Sequence, residues 1–267
     1  MAVEKPIEVR REILRYGDGE LNRVEDTIVT EYPITIKING EEFVTIVCTP
    51  EYIEDLVTGF LASEGIIRRY KDIEEIWVKE KDGFAYVKTS RVNPYFRDFQ
   101  SKRYITSCCG MGRQGFVFVN DAHTAKKMER ITASLSVDDC FQLMNHMQQS
   151  ATTFHHTGGV HNAALGDGNG ILLGRMDIGR HNALDKIYGY CLRNDIAIGD
   201  KSLVFSGRIS SEILLKAAKI GCEVILSKSA PTELALQLAE QLGITIVGFI
   251  RNKSLNVYTH PERIRDI

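Results

Sequence analysis

The chain has 267 residues, with 33 Lys and Arg against 35 Asp and Glu, a net charge of −2. That balance excludes attachment to nucleic acid by bulk positive charge. The 43% hydrophobic and 25% charged fractions are those of an ordinary soluble globular protein of one or two domains, and no apolar run nears the roughly 18 residues of a spanning helix.

No apolar region follows Met1–Pro6, so no secretory leader is expected and the cytoplasm is the expected location. Strand-like runs at 35–38 and 43–47 flank Asn39-Gly40, a two-residue hairpin signal. After Pro50, residues Ile53, Leu56, Val57, Phe60 and Leu61 recur with helical spacing, and Gly65 can end the pattern. Runs at 73–78 and 84–89 flank another turn signal, Asp82-Gly83. Residues 90–103 are poorly periodic and read as a loop or linker leading into Thr106-Ser107-Cys108-Cys109-Gly110-Met111-Gly112-Arg113. Ser136 and Asp139 have capping-box spacing, Asp standing in for Glu, ahead of a stripe of Val137, Cys140, Phe141, Met144 and Met147.

From about residue 157 strands and helices alternate: strand 171–174 after the turn 166–170, helix 181–193, strand 202–205, helix 210–220, strand 223–226, helix 232–242, strand 245–249. The alternation predicts a parallel or mostly parallel sheet covered by helices, hence an α/β fold, α+β over the whole chain. In such sheets ligands bind beyond the carboxyl ends of the strands. The three exits are Ser206-Gly207-Arg208-Ile209-Ser210-Ser211, Ser227-Lys228-Ser229-Ala230-Pro231-Thr232 and Gly248-Phe249-Ile250-Arg251-Asn252-Lys253-Ser254. Each joins a cation to hydroxyl or glycine residues, and the first two open helices, a combination suited to anions. One such exit reads equally well as a capped helix with solvated Arg or Lys; three on one edge favour a phosphate-bearing ligand.

Asp177, His181 and Asp185 are four apart and would share a helix face if the helix began early, where flanking carboxylates could raise the pKa of His181 or orient its ring. An N-cap with an exposed ion pair explains the same residues. The run Thr157-Gly158-Gly159-Val160-His161-Asn162 reads as a tight turn that admits a ligand, or as a plain strand entry. His155 and His156, adjacent on an extended chain, would point oppositely and not share a metal. His260-Pro261-Glu262 fits the H-x-E of zinc deaminases, but no downstream P-C-x-x-C follows, so no metal site is expected.

Six cysteines are present. Cys48, Cys140, Cys191 and Cys222 lie in apolar segments and read as core filler. Cys108 and Cys109 are neighbours, and Cα atoms about 3.8 Å apart are too close for an ordinary disulfide. Glycines follow the pair, and Arg103 and Arg113 lie near it in sequence; positive charge lowers a thiol pKa, and such a thiolate can carry sulfur as a persulfide.

Together, Cys109-Gly-Met-Gly, Thr157-Gly-Gly-Val-His, the run from Asp177 to Lys186, Phe205-Ser-Gly-Arg and Gly248-Phe-Ile-Arg with Asn256-Val-Tyr-Thr-His-Pro make the chain, from about residue 16 onward, resemble the FdhD family of formate dehydrogenase accessory proteins. The resemblance implies a sulfurtransferase. It would accept persulfide sulfur from a cysteine desulfurase and pass it to molybdenum bis-molybdopterin guanine dinucleotide for formate dehydrogenase. It implies Cys109 as the persulfide carrier, and Phe249, Ile250, Arg251, Asn252, Lys253 and Ser254 as cofactor contacts, a site a guanine nucleotide would also fill. It further implies a cytidine-deaminase-like three-layer domain at 123–267 after a smaller mixed domain at 1–122. Many members carry C-x-x-C, whereas Gly112 stands at the second position here, leaving open whether Cys108 takes its place. The cationic exits suit a pyrophosphate, with Arg208, Lys228 and Arg251 as phosphate contacts, and His181 and Asp185 toward the guanine or pterin. Dimers are common for such α/β proteins, so a homodimer is an expected assembly; nucleic acid and membrane are not expected partners. A cofactor-binding chaperone with idle cysteines is the main alternative, and a zinc nucleobase deaminase a remoter one.

Overall fold

The computed structural model describes residues 5–90, the backbone of 103–105, residue 125 and residues 127–267. The expected linker at 90–103 and the expected domain boundary at 122/123 therefore fall largely or wholly outside the described residues. Strand β1 (Glu8–Gly17) and strand β2 (Glu20–Val29) form a ribbon closed at Asp18-Gly19, both at positive φ. The sequence gives little sign of it, because Arg10, Arg11, Glu12 and Arg15 break any clean alternation.

Strands β3 (Tyr32–Ile38) and β4 (Glu41–Cys48) make the hairpin expected at Asn39-Gly40, where both residues take positive φ. With β5 (Ile73–Lys79), β6 (Phe84–Thr89) and β7 (Arg103–Ile105) they form a five-stranded sheet ordered β5-β6-β3-β4-β7. Along β3, Ile34, Ile36 and Ile38 alternate inward toward helix α1 (Ile53–Ser63). Leu56, Val57 and Leu61 of α1 are completely buried. Each contributes about 1.5–3 kcal/mol, which outweighs the roughly 1 kcal/mol that Gly59 costs a helix interior.

The second half holds α2 (Val137–Gln149), α3 (Thr152–Thr157), β8 (His161–Asp167), β9 (Gly170–Asp177), α4 (Arg180–Arg193), β10 (Ser202–Phe205), α5 (Ser211–Ile220), β11 (Val224–Ser227), α6 (Glu233–Leu242), β12 (Thr245–Arg251) and β13 (Ser254–Thr259). The capping box at α2 forms as its spacing predicts: Ser136 Oγ accepts from Asp139 N, and Asp139 accepts from Ser136 N at 2.7 Å. The six strands run in the order β13-β12-β11-β10-β8-β9. Only β10–β11 and β11–β12 pair in parallel, so the sheet is mixed rather than mostly parallel. Strands β8 and β13, which the sequence reading did not separate, supply the antiparallel partners. Alternate residues serve two cores. Ala163, Leu165, Leu203, Phe205, Ile225 and Ile246 meet α4, α5 and α6 on one face. Ala164, Val204, Val224, Leu226 and Val247 meet α2 on the other. This is the three-layer arrangement expected, in a chain that is α+β overall.

The two halves meet where α1 lies along α4. Gly59 and Gly189 face each other, and a Cβ on either would overlap the backbone of the other helix. Each glycine is there for close approach, at helical φ.

Candidate functional site

The carboxyl ends of β10, β11 and β12 lie on one edge, and the three exits are stitched side by side. Ser227 Oγ donates to the carbonyl of Gly207 at 2.8 Å and accepts from Ser229 N at 3.0 Å. Phe249 N donates to Ser229 O, and Arg251 Nε donates to Lys228 O at 3.3 Å. Arg208, Lys228 and Arg251 are all exposed, and none forms an ion pair with a described residue. The edge thus carries three cations whose charge no described carboxylate neutralises.

The third exit has an unusual backbone. The pairing of β12 with β13 shifts register between Gly248 and Arg251, and within this irregularity Phe249 takes φ +51. A bulky residue there is strained. The residue stays 37% exposed, with the Arg251 guanidinium 5.4 Å from its ring centroid. Asn252, Lys253 and Ser254 are exposed on the turn beyond. Ile250 departs from the expected set of cofactor contacts: it is 2% exposed and packs into the core under α2.

The run from Asp177 to Lys186 divides. Asp177 ends β9 instead of joining the helix. It is fully buried, pairs with Lys186 Nζ at 2.8 Å, and accepts from Thr49 N, Gly179 N and Asn182 Nδ2. Asp185, expected near the guanine or pterin, is 1% exposed. Its carboxylate binds Lys216 Nζ at 2.6 Å and Ser63 Oγ at 2.7 Å. These residues brace the two halves of the chain, Thr49 and Ser63 from the first against Asp177 and Asp185 from the second. A third brace is Asp55, held by Arg175 at 2.9 Å and Arg193 at 2.6 Å. Such groups have no open face left for a ligand, which corrects the reading of Asp185 as a cofactor contact.

His181 sits one turn before Asp185 on α4, and no hydrogen bond joins it to either aspartate among the described residues. Its Nε2 is 3.3 Å from Glu212 Oε2 but is buried without a hydrogen bond. Burial depresses its pKa, Glu212 opposes that, and the charges of Lys216 and Arg180 add to it. The net shift is downward, opposite to the rise expected from flanking carboxylates. His161 is depressed too, by burial and then by the charge of Arg180.

The glycines and other histidines of the remaining motifs are structural in the described residues. Gly158 closes α3 at φ +65, and Gly159 leaves room for Val29 of the N-terminal ribbon, where a Cβ would be crowded by the valine. His155 and His156 sit on α3, not on an extended chain, bound to Gln148 O and Glu8. His260 lies beside the start of β12, whose Thr245 hydroxyl donates to the His260 carbonyl, at the opposite end from the exits. Its ring nitrogens face Glu240 and Glu262. Among the described residues no group of three or more His, Cys, Asp or Glu is placed to hold a metal, and no helix is long and apolar enough to cross a membrane.

The cysteines separate sharply. Burial pushes Cys191 up to about 11 and Cys140 up to about 12, and drives Cys48 and Cys222 well above the ordinary thiol range. All four are buried and unpaired. Cys108 and Cys109, with Arg113, lie outside the described residues.

Residues 29–265 match the FdhD/NarQ family. The chain belongs to that family. Among FdhD/NarQ relatives, the sulfur carrier protein FdhD of Shouchella clausii is 55% identical across 98% of this chain and 98% of its own. That of Bacillus subtilis is 57% identical across 96% and 97%. A crystal structure of a chain from Desulfotalea psychrophila, assigned as a formate dehydrogenase accessory protein, superposes with TM-score 0.79 at 24% identity, covering 97% of this chain and 100% of that one. At that identity it speaks for the fold. The family likeness also covers His161 and Arg180, to which the sequence reading gave no separate roles although it had quoted the motifs that contain them.

Proposed function

We propose that this chain is a sulfur carrier that receives persulfide sulfur from a cysteine desulfurase and delivers it to molybdenum bis-molybdopterin guanine dinucleotide, the substrate it serves to formate dehydrogenase. In the loading step the Cys109 thiolate attacks the outer sulfur of the donor persulfide. A sulfur–sulfur bond forms at Cys109, the donor's own bond breaks, and the donor cysteine leaves as thiolate, with no net oxidation. The observation that carries the reading is the state of the thiols in a chain whose full-length relatives are named sulfur carriers. Four of the six cysteines are sealed and held protonated, which leaves Cys108 and Cys109 to do thiolate chemistry. The exits at Arg208, Lys228 and Arg251, with the projecting Phe249 ring, support the nucleotide tail as the gripped part of the substrate: cations for phosphate and an aromatic face for a base. A guanine nucleotide alone would fill the same place. The reading carries with it a cytoplasmic location, a homodimeric assembly, and a division of the chain near 122/123.

Incubation with a cysteine desulfurase and cysteine, followed by intact mass measurement, tests it. The wild type gains the mass of one sulfur atom and Cys109→Ala does not. No gain on the wild type overturns the reading. Full activation of formate dehydrogenase by Cys109→Ala would make the protein a cofactor-binding chaperone instead.

A further inference from the structure

Beside the three exits, the same edge continues into a cluster that none of the braces uses. His161 opens β8, and its Nδ1 lies 3.6 Å from where a Cβ on Gly207 would stand. Ser206, next to Gly207, ties the two strands: its Oγ accepts from Asn162 N and its N donates to Asn162 O, both at 3.0 Å. Arg180 and His181 are the first two residues of α4, a helix of 14 residues whose N-cap is Gly179 with no side-chain cap. A cation at this end of a helix is electrostatically unfavourable, because the helix start is itself positive. No acidic residue lies in the first turn, and Arg180 has no ion pair with a described residue. The buried His181 Nε2 makes no hydrogen bond. Glu212 faces the cluster, its Oε2 3.3 Å from His181 Nε2. Lys216, behind it, is taken by Asp185. Cations, imidazole edges and a helix start with its N–H groups uncovered converge from β8, α4 and the β10 exit, and all of them suit the same kind of ligand.

We propose that Arg180, His161 and His181, with the start of α4 and the Ser206–Arg208 turn, form an oxyanion site that receives a phosphoryl group of the nucleotide tail. The site deepens the sulfur-carrier reading and rests on it for the identity of the ligand. It is separate from the segment at 249–254. The exits run along the edge from β12 through β11 to β10 and on to β8, each step about 4.8 Å. The base then lies toward Phe249 and the phosphates toward Arg208 and Arg180.

Titration calorimetry with guanosine diphosphate, guanosine and inorganic pyrophosphate tests the site on the full chain. Wild type binds the diphosphate more tightly than guanosine, and pyrophosphate competes with it. Arg180→Gln weakens the diphosphate and pyrophosphate by about tenfold or more, the scale of one lost charge-assisted hydrogen bond, and leaves guanosine unchanged. Arg180→Lys recovers part of the loss, since charge returns without the fork. Phe249→Ala does the reverse, weakening guanosine and sparing pyrophosphate. Pyrophosphate binding that Arg180→Gln does not change overturns the site, as does a wild type that binds neither phosphate probe. Sulfur loading of the wild type is read separately. Loading without pyrophosphate binding removes the oxyanion site and keeps the carrier; binding without loading removes the carrier and keeps the site.

Discussion

Helix α4 carries two polar clusters less than two turns apart, and they have opposite character. At Asp185 and Lys186 every charge is buried and matched: Asp185 to Lys216, Lys186 to Asp177. At Arg180 and His181 the basic groups have few or no partners among the described residues. One cluster is finished within the fold, while the other is, in our proposal, completed by a ligand. Polar density in the sequence marks both equally; only the pairing tells architecture from a site that awaits a ligand.

The strongest way to break the comparison is to attack the finished region. Gly189→Ala forces a Cβ into the Asp55 carbonyl of α1, where neither backbone can yield. We expect a loss of about 4–5 kcal/mol in urea unfolding. A loss below about 1 kcal/mol would mean that the helices do not cross as described. Lys216→Met leaves Asp185 buried without its cation and is expected to lose about 3 kcal/mol, whereas Lys216→Met with Asp185→Leu recovers much of it. Additive losses in the double variant would deny that the two form a brace.

On the ligand-facing edge stability should behave differently. Phe249→Gly is expected to be about 1 kcal/mol more stable than Phe249→Ala, because only glycine relaxes at φ +51. Equal stabilities would place the strain elsewhere. The smallest effect is in pH. His161 and His181 titrate below the ordinary histidine value in the folded chain, so below about pH 6.5 the unfolded chain takes up protons first. Their contribution is complete above that pH and is lost as pH falls toward the folded values. A His161→Asn, His181→Asn variant should show a shallower fall in thermal midpoint between about pH 7 and 5.5. A fall as steep as in the wild type would assign the pH response to other groups.

Much of this arrangement was legible in the sequence where one rule acted alone. The Asn39-Gly40 hairpin, the helix at Ile53–Ser63 and the Ser136 capping box each rest on local spacing, and each forms. Gathering the exits at Ser206, Ser227 and Phe249 needed only the βα alternation. What stayed hidden depended on distant partners. Strand β8 serves both cores, Ala163 and Ala164 facing opposite ways, so its pattern does not alternate polar with apolar. Asp185 meets a lysine 31 residues away and a serine 122 residues away, which no window of sequence reveals. The depression of the His181 pKa likewise comes first from burial and then from Lys216, 35 residues on, with only a lesser part from its chain neighbour Arg180.

The sealed state of Cys48, Cys140, Cys191 and Cys222 gives the protein a built-in counting assay. Under native conditions an alkylating reagent finds no thiolate at these four positions, so any stoichiometric labelling reports on the adjacent pair alone. If the pair carries sulfur as proposed, its alkylated form is heavier by one sulfur atom, so intact mass after labelling reads occupancy without engineering a single residue out of the chain.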